Sequence, residues 1–120
     1  MKFFLVSLFF VSYASSIQIS DVDAWYKNGQ FERICSNDIK SFMLEIQNDE
    51  ITNLYAKSCL ALDKINELVF PIVLLYKNSI ARENAAYYST ILYQKKLLYM
   101  ALNDEIDISY VVLPLSLIHI

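Results

Sequence analysis

Across 120 residues the chain has a single glycine, Gly29, and only two prolines, Pro71 and Pro114. Tight β-turns draw heavily on those two residue types, so a sandwich or barrel of many short strands lacks the turn chemistry it needs. Hydrophobic residues make up 56% of the sequence and aromatics 14%, enough for a dense core and too much for a disordered chain. The composition therefore predicts an all-α fold.

Periodicity supports the same fold. Ser20 or Asp21 is placed to cap a first helix through Asn28, and Gly29 ends it. From Gln30, residues Phe31, Ile34 and Cys35 share one helical face until Ser36-Asn37-Asp38 compete for backbone hydrogen bonds and break or re-cap the helix. The stripe resumes with Ile39, Phe42, Met43 and Ile46. Asn48 or Asp49 then caps a helix carrying Ile51, Leu54, Tyr55, Ser58, Cys59 and Leu62 at helical spacing.

After a polar break at residues 63–66, the run 68–76 is apolar on all sides and is expected to be buried on most faces, with Pro71 beginning or kinking a helical segment. A buried strand is the competing reading of so short a run. Ser79 is positioned to cap the longest helix, to about Asn103, with Ala81, Ala85, Tyr88 and Leu92 in one row and Tyr87, Ile91 and Leu98 in the next. Ala85 and Ala86 would allow close helix approach. Residues 106–114 alternate loosely, as an extended arm does.

Both ends of the chain carry a signal unrelated to the core. Lys2, the apolar run 3–11 and the small residues Ser12-Tyr13-Ala14 form a secretory signal peptide, with cleavage expected between Ala14 and Ser15, or after Ser16. The run is far short of the roughly 20 residues that span a bilayer, so an uncleaved anchor is disfavoured. At the other end, LSLIHI is what CTG TCT CTT ATA CAC ATC encodes, a string that resembles the transposase adapter of sequencing libraries. Residues 115–120 are accordingly expected to be an artefact, with His119 inside it, and the natural protein to continue past Pro114. The resulting organisation is a signal peptide at residues 1–14, one helical-hairpin domain at residues 15–114 that is incomplete at its C-terminal end, and an artefact at residues 115–120.

Loss of Lys2 with the leader takes 10 basic residues to 9 against 13 acidic ones, a net charge of −4. Such a chain, without basic clusters, lacks the electrostatic footprint for nucleic acid or anionic lipid. Catalytic and metal chemistry have no candidates. Asp49-Glu50 and Asp104-Glu105 are adjacent acids at helix ends, which do not face each other. One glycine cannot make a phosphate loop, the only His lies in the suspect tail, and no Cys-x-x-Cys is present. No cofactor is implied. Tyr87, Tyr88, Tyr93 and Tyr99 could form a ligand-stacking surface, although tyrosines at helical spacing more often serve core and rim.

Cys35 and Cys59, 24 positions apart on apolar helix faces, are expected to pair in an oxidising compartment; two buried free thiols are the alternative.

The stretch Trp25-Tyr26-Lys27-Asn28-Gly29-Gln30-Phe31 with Ile34 resembles the helix-turn-helix junction of tetratricopeptide and Sel1-like repeats. Leu54-Tyr55-Ala56-Lys57-Ser58-Cys59-Leu60 is similar to a repeat helix of cysteine-containing Sel1-like proteins secreted by Helicobacter relatives, and the whole layout resembles uncharacterised periplasmic proteins of Campylobacter-like bacteria. The resemblance implies Gly29 as the turn and Phe31 as its packing aromatic, in repeat-like antiparallel helical hairpins, although no fixed period of about 34 residues is present. The functional expectation is an exported, periplasmic or secreted, helical interaction or scaffold module with a protein partner in the cell envelope. An envelope enzyme with its catalytic residues past Pro114 and a small-molecule-binding helical domain are the other two readings.

Overall fold

The computed structural model describes residues 17–103. The leader with Ala14 and Ser15, the arm at residues 106–114 and the tail with His119 lie outside the described residues. Within them the fold is all-α: α1 (Ile19–Lys27), α2 (Phe31–Ile34), α3 (Asn37–Ile46), α4 (Asp49–Ala61), a 3-10 turn (Ile65–Leu68), α5 (Val69–Leu74) and α6 (Ser79–Asn103). The lengths of these six helices run 9, 4, 10, 13, 6 and 25 residues, so no hairpin of fixed size recurs among the described residues.

Local chemistry sets the boundaries. Gly29 takes φ +73°, while its N–H donates to the Tyr26 carbonyl at 3.0 Å and the Gln30 N–H donates to Trp25 at 2.9 Å. This pair of bonds is the Schellman arrangement, which satisfies the last carbonyls of α1. The same pattern closes α4: Asp63 sits at φ +57°, its N–H donating to Leu60 and that of Lys64 to Cys59. Between them, Ser36 does two jobs. Its hydroxyl donates to the Arg33 carbonyl at 2.9 Å and accepts the Ile39 N–H at 3.4 Å, so it ends α2 and caps α3.

Asn48 caps α4 through the Ile51 N–H at 3.2 Å. Two other caps differ from the sequence expectation. The N-cap of α1 is Gln18, with the Asp21 carboxylate reaching back to the Gln18 N–H at 3.1 Å. The residue capping α6 is Asn78, whose Oδ1 accepts the Ala81 N–H at 2.8 Å, so Ser79 is already helical. An Asn side chain presents its oxygen one bond further out than Ser, and either can serve a cap. Pro71 falls in the first turn of α5, where its missing N–H costs nothing.

The core has two parts that share α4. On one side Val22, Ile34, Cys35, Ile39 and Met43 close on Ile51, Leu54, Tyr55 and Cys59. On the other, Ile65, Leu68, Leu75, Ala81 and Tyr88 close on Ala56. Thus α4 is the central helix, and its small Ser58 and Ala56 are fully buried where neighbours approach closely. Ile46, Tyr87 and Leu98, expected inside, are exposed, as is Ala86. α3 buries one narrow face and α6 runs past the body it packs on, so each leaves part of its stripe open.

Candidate functional site

Two polar clusters and one apolar groove stand out among the described residues. The first cluster centres on Glu67 in the 3-10 turn. Its Oε2 accepts the Tyr55 hydroxyl at 2.9 Å and lies 3.0 Å from Lys40 Nζ, which also sits 4.3 Å from the centroid of the Phe70 ring. The Lys40 hydrogen bond holds the Glu67 carboxyl below its ordinary value, with Tyr55 adding to the effect against the opposing pull of burial. Burial, then the Glu67 contact, pushes the Tyr55 phenol well above 10. A cavity of about 260 Å³ opens beside them, lined by Cys35, Ser36, Asn37, Tyr55, Lys64 and Glu67. Because both donors meet the same carboxylate oxygen, the cluster ties α3, α4 and the 3-10 turn together.

The second cluster forms at the α4 corner, where Asp63 accepts hydrogen bonds from both Lys95 and Tyr99. The Lys95 contact, then Tyr99, lowers the Asp63 carboxyl, and the Asp63 bond raises the Tyr99 phenol. A residue held in the left-handed region at the end of α4 is thereby fastened to α6.

Cys35 and Cys59 are joined, with their Cα atoms 5.1 Å apart, so α2 is bolted to the central helix inside the first core. Both are buried. Asp49 and Glu50 occupy the first turn of α4, where negative charge favours a helix start. The four tyrosines considered as a stacking surface part company. Tyr88 is buried with its hydroxyl donating to Asn53 Oδ1 at 3.1 Å, Tyr99 serves Asp63, Tyr87 is exposed with its ring edge-on to Tyr88, and Tyr93 lines the groove. They form no shared stacking face.

The groove lies between α5 and α6, has a volume of about 410 Å³, and is lined by Val69, Ile72, Val73, Leu92 and Tyr93 with Ser89 and Lys96. The sequence places the run 68–76 on the inside, yet Val69 is 48% and Val73 69% exposed. Leu68 and Leu75 pack in the second core and Pro71 is buried, while Val69 and Val73 on the other side of this six-residue helix are exposed. An apolar run without a polar face is the signal that could have found this groove, because such a helix needs cover on both sides.

Among the described residues no group of three His, Cys, Asp or Glu could hold a metal, and no helix is long and apolar enough to cross a membrane. Compared with protein-family models, curated proteins and solved structures, the chain matches none.

Proposed function

We propose that this protein is an exported helical interaction module, working in the periplasm or outside the cell, that docks a protein partner of the cell envelope on the α5–α6 groove. The observation that carries the reading is the groove's chemistry. Five apolar side chains from two helices line it, with one serine and one lysine, whereas the carboxylates of the two polar clusters, Glu67 and Asp63, are held by internal contacts. Apolar patches of this kind mark interaction surfaces more often than reaction centres. Export is supported by the leader-like first sixteen residues and by the Cys35–Cys59 bond, which persists in oxidising compartments.

The test expresses the full chain with its own leader in a Gram-negative host, fractionates the cells, and compares wild type with Val69→Asp, Val73→Asp. The expected result is periplasmic protein beginning at Ser15 or Ile17, with one envelope protein retained by wild type and released by the double variant at unchanged helicity. Intact Met1 protein confined to the cytoplasm overturns the export half. Equal retention by both forms overturns the groove.

A further inference from the structure

The two ends of the Cys35–Cys59 bond are not walled in equally. Cys59 stands near the end of the 13-residue α4 and is fully buried, whereas Cys35 closes the four-residue α2, keeps 6% of its surface open and lines the cavity beside Glu67. Cys59 is not among that cavity's lining residues. At about 260 Å³ the space is several times the ~30 Å³ that one water occupies, so a small organic molecule fits in it.

The cavity wall also carries charge. Glu67 already meets Lys40 and Tyr55, while the exposed Lys64 makes no ion pair among the described residues, and Asn37 adds an amide. An ammonium and an amide beside an open sulfur suit a molecule that brings a carboxylate with it.

We propose that Cys35 is the sulfur at which this bond opens, by exchange with a small carboxylate-bearing thiol held in the cavity, which makes Cys35 a modification site of the folded protein. Which sulfur an incoming thiolate reaches is a matter of access, and access favours Cys35. The thiol gives its proton to solvent and its sulfur bonds to Cys35 Sγ; the Cys35–Cys59 bond breaks and its electron pair leaves with Cys59 Sγ, which takes a proton from solvent in return. One disulfide replaces another, so the thiol is the only co-reactant. Because Cys59 leaves into the first core, where a thiolate is disfavoured, the exchange is slow, and the cavity sets its position and not its rate. The inference goes beyond the docking role and does not depend on it.

The experiment incubates the purified, oxidised full chain with L-cysteine at neutral pH without denaturant, quenches early time points in acid, alkylates the free thiols and maps the peptides by mass spectrometry. The expected product carries the cysteine adduct on Cys35 and the alkyl group on Cys59. In urea, where both sulfurs are open, both should carry adducts. Lys64→Ala, at unchanged helicity, should slow adduct formation by L-cysteine about two- to fivefold, the effect of one exposed ion pair, and leave the rate with cysteamine, which lacks the carboxylate, unchanged. Adducts on Cys59, or on both sulfurs equally without urea, overturn the proposal. So does the absence of any adduct under conditions where the urea-treated chain reacts. An equal effect of Lys64→Ala on the two thiols overturns the carboxylate as the feature that the cavity selects.

Discussion

Glu67 Oε2 accepts the hydroxyl hydrogen of Tyr55 at 2.9 Å while the same oxygen lies 3.0 Å from Lys40 Nζ, so one carboxylate links α3, α4 and the 3-10 turn. The Lys40 contact first, then Tyr55, holds Glu67 below its ordinary value of 4.5 in the folded state. A carboxyl whose folded value is depressed stabilises the fold above its unfolded value and loses that contribution as the pH falls through the folded one. Stability should therefore decline on acidification below about pH 4.5. Glu67→Gln should flatten that part of the profile, as measured by urea midpoints from pH 6 to 3. A decline of the same size in Glu67→Gln would assign the acid sensitivity to other carboxylates.

Tyr55→Phe keeps the ring in the first core and removes the bond. The expected cost is about 1.5 to 3 kcal/mol in urea unfolding, the ordinary range for a hydrogen bond to a charged group. Because Lys40 still faces Glu67, the acid arm of the profile should persist in this variant, and its disappearance would show that Tyr55 dominates the cluster.

At high pH the sign reverses. Burial pushes the Tyr88 phenol up to about 12 from an ordinary 10, so the folded state holds a proton that the unfolded chain releases. The group's contribution is complete below pH 10 and is lost as the pH rises toward 12. Tyr88→Phe should weaken the alkaline dependence in that window. Absorbance in the tyrosinate band should show one fewer late-titrating tyrosine. An unchanged late phase would place Tyr88 in contact with water.

The Cys35–Cys59 bond closes a loop of 24 positions in the chain. Chain-entropy arguments give such a loop roughly 3 kcal/mol. Cys35→Ala, Cys59→Ala should lose about that amount, and since both sulfurs are buried, mild reductant should act on the folded protein slowly. Rapid reduction without loss of helicity would mean that α2 opens readily from α4.

The helices were legible because their ends are written in local chemistry. Gly29, Ser36 and Asn48 each satisfy backbone groups within a few residues of themselves, and no distant contact is needed to place them. The Asn78 cap and the open side of Val69 and Val73 were not legible, for different reasons. Asn78 and Ser79 are adjacent and both able to cap, so the choice falls to the geometry of the loop from Tyr76. For the valines, an apolar run states only that cover is needed; what supplies it depends on packing that no short-range pattern encodes. The polar clusters were hidden likewise, since Tyr55 and Glu67 stand 12 positions apart and Asp63 and Tyr99 stand 36 apart.

Two of the left-handed helix ends, at Gly29 and Asp63, give a paired test of that local logic. Gly29 takes φ +73° with nothing within 4 Å of where a Cβ would stand, so Gly29→Ala meets no collision and suffers only the backbone penalty. That penalty is about 1 to 2 kcal/mol, and Gly29→Asn, whose side chain tolerates this region, should cost less. At Asp63 the same conformation is held by a side chain that Lys95 and Tyr99 fasten. Asp63→Gly relaxes the backbone while losing those contacts, whereas Asp63→Ala loses the contacts and keeps the strain. Thermal unfolding should therefore rank Asp63→Gly above Asp63→Ala. The opposite order would show that helix ends here are set by tertiary packing and not by the φ preference of the closing residue.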